Sequence, residues 1–130
     1  MSQNVETAKR FVDAFNRSDV ETMLHLATPE PVMSSQLLDA GAEFRGREGA
    51  ERFYAMLNES WDEFRTVAEE YRDFGDRVLM LGHNTARGRG SGVPVSGPTA
   101  TIIDFDDGHV SRVRLYLDHD EALRAAGLSE

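Results

Sequence analysis

At Phe64 the hydrophobic spacing of this chain changes. Before it, apolar side chains recur every three or four residues; after it they alternate with polar ones. The first spacing lines one face of a helix and the second one face of a strand, so a helical first half meets a strand-rich second half. Val5, Ala8, Phe11, Val12 and Phe15 predict a helix over 4–17. Ser18 and Glu21 form a capping-box pattern that predicts a second helix, with Val20, Met23, Leu24 and Ala27 on its apolar side. Thr28-Pro29-Glu30-Pro31 ends it, because a residue before proline avoids the helical region. Ala50, Phe53, Tyr54, Leu57 and Trp61 share one face of a third helix over 47–61. Between these helices, Val32–Leu38 reads as a strand, Asp39-Ala40-Gly41 as a turn and Glu43–Arg45 as a short return strand.

Strands are predicted over 64–73, 76–89, 93–106 and 110–118, with turns at Gly75-Asp76, Gly90-Ser91-Gly92 and Asp107-Gly108. Such short turns imply an antiparallel meander. The fold class is therefore α+β, with N-terminal helices packed on one face of a curved antiparallel sheet. The last strand carries two rows. Val110, Arg112, Arg114, Tyr116 and Asp118 point one way; Ser111, Val113, Leu115 and Leu117 point the other. The aliphatic row must be covered, and the polar row is free to line something. A short helix over 121–126 follows, with Asp118 or Asp120 as its cap.

A length of 130 residues suits one domain with a real core. The net charge of −9 argues against nucleic acid or an anionic membrane as partner, since both need a basic surface. With no cysteine, disulfides, thiolate catalysis and cysteine-ligated zinc are excluded. The four histidines form no close pair that suggests a metal site, and no motif calls for a cofactor. No stretch approaches the ~20 apolar residues of a membrane span, and the start lacks a signal-peptide core. A cytoplasmic protein is expected.

Four segments together resemble the SnoaL-like group of the nuclear transport factor 2-like (cystatin-like α+β) superfamily. They are the opening helix followed by Ser18-Asp19-Val20-Glu21, the run Phe44-Arg45-Gly46-Arg47-Glu48-Gly49, the hairpin of residues 87–93, and Asp107-Gly108-His109-Val110 leading to Tyr116-Leu117-Asp118. The resemblance implies a single domain over 1–130, shaped as a cone with a central pocket between the concave sheet and the helices. It also implies a homodimer through the outer face of the sheet. Relatives include polyketide cyclases, ketosteroid isomerases and limonene-epoxide hydrolases, as well as proteins without established activity. Similar chains often carry an aromatic residue and a histidine on the first strand after helix two; here those places hold Met33 and Ser34. A proton-transfer group is missing there.

Asp104, amid Ala100-Thr101-Ile102-Ile103 and Phe105, is a candidate acid or base, because apolar surroundings raise a carboxyl pKa. The alternative is a solvent-facing residue near the strand's end. His83, mid-strand, is a candidate proton shuttle beside the cationic anchor Arg87, or a histidine of the outer face. Asp118 is a candidate by resemblance to the acidic residue of polyketide cyclases, or a helix cap. Tyr54, Trp61, Arg87, Arg114 and Tyr116 are candidate substrate-binding residues, with core or sheet-pairing roles as the alternatives. Two functions are expected to compete. One is a cofactor-independent isomerase, cyclase or epoxide hydrolase acting on a small apolar molecule; the other is a non-catalytic ligand-binding or dimeric accessory protein. An enzyme requires at least two of Asp104, His83 and Asp118 in one cavity.

Overall fold

The computed structural model describes residues 3–36 and 42–127. Along the chain the elements are α1 (Gln3–Asn16), α2 (Val20–His25), β1 (Ala27–Ser35), β2 (Phe44–Arg45), α3 (Gly46–Ser60), β3 (Trp61–Asp73), β4 (Arg77–Gly88), β5 (Pro94–Asp106), β6 (His109–Tyr116) and α4 (His119–Ala125). One sheet is ordered β2-β1-β6-β5-β4-β3. β3 to β6 form the expected antiparallel meander, and β1 joins β6 in parallel. Met33 of β1 faces Phe44 of β2, the return strand read from the sequence. Residues 37–41, including the expected turn at Asp39-Ala40-Gly41, lie outside the described residues.

Three local expectations are corrected. Asp19, not Ser18, caps α2: its carboxylate accepts from the Thr22 backbone N–H at 3.1 Å and the Thr22 hydroxyl at 2.7 Å. That hydroxyl bond, with the backbone bond behind it, holds the Asp19 carboxyl below its ordinary pKa. Glu21 does not reach back to the cap; it accepts two bonds from Arg47, at 2.6 and 3.0 Å, and ties α2 to the start of α3. Thr28-Pro29-Glu30-Pro31 follows the end of α2, as expected, and lies within β1. The prolines fall where β1–β6 pairing shifts register, between Ala27 and Val32, so their missing N–H groups cost no regular ladder bond.

The third correction concerns Trp61, which starts β3 instead of ending α3. The helix stops at Ser60, so Tyr54 and Trp61 do not share a face. Tyr54 is buried, and its hydroxyl donates to the Phe15 carbonyl at 2.9 Å. Phe15, Phe44, Phe53 and Tyr54 pack at centroid distances of 5.5–6.0 Å, mostly edge to face. This cluster joins α1, α2 and α3 to the concave face through Met33, Val78, Ile103, Val113 and Leu115.

The convex face has its own core. Leu79, Leu81, Ala100 and Ile102 are covered by Ala122 and Ala126 at the C-terminal end of the chain. Thus β5 is buried on both sides, which is why it reads as the unbroken run Ala100–Ile103. α4 therefore occupies part of the outer face that the family resemblance assigns to a dimer partner. Asp118 is its N-cap, accepting from the Glu121 N–H at 3.1 Å.

Bulges set the curvature. Between Asp62 and Arg65, two residues of β3 oppose Ala86 alone, with Glu63 at φ 54°. A second irregularity lies between Ala68 and Glu70, opposite Gly82 and Leu81. Here the strands approach so closely that a Cβ on Gly82 would lie 2.0 Å from the Val67 carbonyl oxygen. A third bulge leaves Ser111 unpaired, since Phe105 faces Val110 and Asp104 faces Arg112. It moves Val110 off the Arg112–Arg114 row and into the helix-side core.

Candidate functional site

The concave face is filled at its centre. Phe11, Phe15, Met33, Val113 and Leu115 close on one another and leave a cavity of about 20 Å³, room for about one water. The larger opening lies further along the same face, where β3, β4 and β5 extend past the helices. This cleft has a volume of about 250 Å³. Its apolar lining comes from Trp61, Phe64, Ala86, Val95 and Leu117. The Glu63 bulge aims Phe64 inward, and Phe64 also packs edge-on against Phe15 at 6.3 Å. Val95 and Leu117 are 40% and 38% exposed, large apolar side chains left uncovered at the cleft.

Asn84, Thr85 and Ser96 are the polar side chains that line the cleft, and Asn84 is the buried one of the three. It is 7% exposed, on the inward row of β4. Its Oδ1 accepts from the Thr66 hydroxyl at 2.9 Å, while its Nδ2 is buried and has no partner. Thr66 is fixed in turn by Asn16 at the end of α1, whose side-chain amide bonds the Thr66 N–H and C=O, each at 2.8 Å. Asn16 thus closes the free edge of β3 as another strand would. Gly97 lies opposite Asn84 on β5, with open space where a Cβ would stand.

The expected catalytic residues do not converge here. Asp104 lies on the convex face, between Arg77 at 2.6 Å and Arg114 at 3.3 Å. Arg77 also donates to the Ala126 carbonyl at 3.3 Å, so the carboxylate anchors the end of α4 to the sheet. His83 points the same way and bonds Glu69 through Nδ1 at 3.0 Å. Asp118 caps α4. None of the three lines the cleft, because alternation puts Asp104 and His83 on the outward rows. Of the expected binding residues, only Trp61 lines it. Tyr54 is core, Arg114 pairs with Asp104, and Tyr116 packs beside α4. Arg87 pairs with Glu63 at 3.1 Å and borders an adjoining hollow that shares Thr85, Ala86, Val95 and Ser96 with the cleft. Phe64, Asn84, Val95 and Leu117 were not singled out from the sequence; an amide one position from His83, on the opposite row, was the available signal.

Among the described residues, no group of three or more His, Asp or Glu side chains could hold a metal ion, and no helix is long and apolar enough to cross a membrane.

Helices on the concave side of a strongly bent meander, with a cleft at the open end, define the nuclear transport factor 2-like class of α+β proteins. Residues 8–113 match the SnoaL-like domain, and the chain belongs to that family. Among curated proteins none matches. Solved structures are similar over nearly the whole chain. An NTF2-like protein of unknown function from Burkholderia pseudomallei superposes with a TM-score of 0.80 at 20% identity, covering 95% of this chain and 97% of that one. TerC, co-crystallised with polyporic acid, gives 0.80 at 20% identity, covering 98% of each chain. A putative SnoaL-like polyketide cyclase from Jannaschia gives 0.76 at 25% identity, covering 98% of this chain and 93% of that one.

Proposed function

We propose that this protein binds a small, largely apolar molecule in the cleft of Trp61, Phe64, Asn84, Val95 and Leu117, without acid–base chemistry by the residues that line it. The carrying observation is the composition of the cleft. Its walls are aromatic and aliphatic, its buried polar group is a neutral amide, and no Asp, Glu, His, Lys or Arg lines it among the described residues. Proton transfer needs a titratable group within hydrogen-bond reach of the substrate. Glu63 and Arg87 sit in the adjoining hollow and are joined to each other, as are Asp62 and Arg89 beside it. A mostly apolar lining with a few polar groups is the usual make-up of a ligand pocket. Capture of a ligand by TerC, a protein of the same fold, agrees with this reading.

The sequence contains one tryptophan, so its indole N–H gives one resonance, and that residue lines the cleft. Titration with indane, a compact hydrocarbon, is expected to shift this resonance saturably. Replacing Val95 by Trp, which fills the cleft, is expected to abolish the response. Absence of any shift up to the solubility limit of indane would overturn the proposal.

A further inference from the structure

Helix α3 ends without a stop signal of its own. Asn58-Glu59-Ser60 runs straight into Trp61-Asp62-Glu63, with no glycine or proline among them. Trp61 takes extended backbone, φ −129° and ψ 145°, where a helix commonly closes on a left-handed residue. An α-helix leaves its last carbonyls without partners inside the helix. Here the β4–β5 turn supplies donors for them. Arg89 donates through Nε to the Asn58 carbonyl and through Nη2 to the Trp61 carbonyl at 3.4 Å. Its backbone N–H donates to the Ser60 carbonyl at 3.0 Å. Nη2 also meets the Asp62 carboxylate at 3.2 Å. The turn that carries Arg89 is itself closed, by the Gly88 N–H on the Val93 carbonyl at 3.0 Å and the Gly92 N–H on the Gly88 carbonyl at 2.9 Å. It leads directly into β5 and Val95. Arg89 therefore ties the segment that bears Trp61 to the segment that bears Val95, and both residues line the cleft.

We infer that Arg89 is a positioning residue for ligand binding: it caps α3 from the neighbouring hairpin, ends the helix before Trp61, and holds the indole at the cleft. This rests on the cleft being the binding site. Arg89 does not itself line the cleft and acts through the main chain around Trp61. A planar guanidinium reaches several acceptors at once, which the point charge of a lysine does not. The contact with Asp62 joins two exposed side chains and adds little. Without the fork, Trp61 keeps its ladder pairing with Gly88, but the last turn of α3 is free to fray. Fraying there moves the indole away from the position a ligand meets.

The test compares the wild-type chain with Arg89→Met, Arg89→Lys and Asp62→Asn. The sequence contains one tryptophan, so acrylamide quenching of its fluorescence reads the exposure of Trp61 without any ligand. In Arg89→Met quenching should rise towards that of the urea-unfolded chain. The indane Kd should rise about tenfold, the loss of one hydrogen bond from a charged donor. Arg89→Lys keeps the charge without the fork and should resemble Arg89→Met; it carries the comparison where the methionine variant does not fold. Asp62→Asn should match the wild type in both readouts. Wild-type quenching and Kd in either folded Arg89 variant, or an equal loss in Asp62→Asn, overturn the inference. A fall in urea stability with neither readout changed also overturns it, because the role is then only structural. If indane shifts the Trp61 resonance in none of the proteins, the cleft reading fails, and the quenching comparison still decides whether Arg89 holds the indole.

Discussion

Gly82 is where a single methyl group tests the account of the bent sheet. A Cβ built there lies 2.0 Å from the Val67 carbonyl oxygen, 3.0 Å from its carbonyl carbon and 3.1 Å from the Ala68 Cα. Ordinary carbon contacts are at about 3.5–4.0 Å, so Gly82→Ala requires a main-chain shift of over about 1 Å. No flexible side chain is there to yield. The obstacle belongs to a paired strand beside its own bulge, and the Gly82 carbonyl is also 3.0 Å from His119 Nε2 on α4. Over-packing ordinarily costs about 1–3 kcal/mol; a backbone obstacle puts Gly82→Ala at about 3 kcal/mol or more. For a domain of this size that is a fall in Tm of about 10 °C or more. Because Asn84 is two residues along the same strand, the shift should also disturb Thr66–Asn84 and weaken indane binding in the cleft. The assay is urea unfolding at neutral pH, with Gly97→Ala as control. Gly97 has open space at its Cβ position, so its alanine variant should hold stability to within about 1 kcal/mol while reducing the cleft. A loss below about 1 kcal/mol in Gly82→Ala would refute the close approach of β3 and β4 and, with it, the origin of the curvature.

Asp104→Asn should cost about 2 kcal/mol in urea unfolding, because it removes the charge shared by Arg77 and the mostly buried Arg114. It should leave the indane Kd within about twofold, since the residue is on the other face; a selective loss of ligand affinity would revive a role in the site. Thr66→Val with Asn84→Leu replaces both members of the buried pair and its orphan donor by apolar groups. That double variant should be as stable as wild type or up to about 2 kcal/mol more so in urea unfolding. Burial pushes the Tyr71 hydroxyl up to about 12 and raises Tyr54 still further above its ordinary value of 10.0. The unfolded chain then loses these protons first. The stability they contribute is complete below pH 10 and falls as pH rises from there towards the folded-state values. Urea midpoints measured between pH 9 and 11.5 should decline, and Tyr54→Phe should flatten the decline; a flat wild-type profile would contradict the burial.

Much of the fold is legible because burial leaves a period. The helices α1 and α3, the four long strands and their glycine turns follow from spacings of three to four and of two. The Asp118 cap follows from its position before an apolar helix. What misleads is local geometry that leaves no period. Trp61 stands seven residues after Tyr54 and so fits a helical face, yet the helix ends one residue before it. Prolines at 29 and 31 mark the end of α2 but not the strand that begins at once, because an irregular stretch of β1 accommodates them. The bulge at Ser111 breaks the parity of the last strand and sends Val110 to the core. Its other question resolves simply: Val113 and Leu115 face the helices, and Arg114 and Tyr116 face outward beside α4.

The site was less legible than the fold for a chemical reason. Titratable side chains draw attention as catalysts, but a carboxylate between two arginines can serve to anchor a helix, as Asp104 does. The buried polar residue of the cleft is an uncharged amide, and neither spacing nor composition marks it as part of a site. Phe64 becomes part of the wall through the bulge at Glu63, again invisible to a period-two reading.

The most direct measurement is a crystal structure of the protein soaked with indane. The ring is expected between Trp61 and Leu117, in contact with Ala86 and Val95. Indane bound elsewhere, or an empty cleft in crystals saturated with it, would contradict the assignment of the cleft as the binding site.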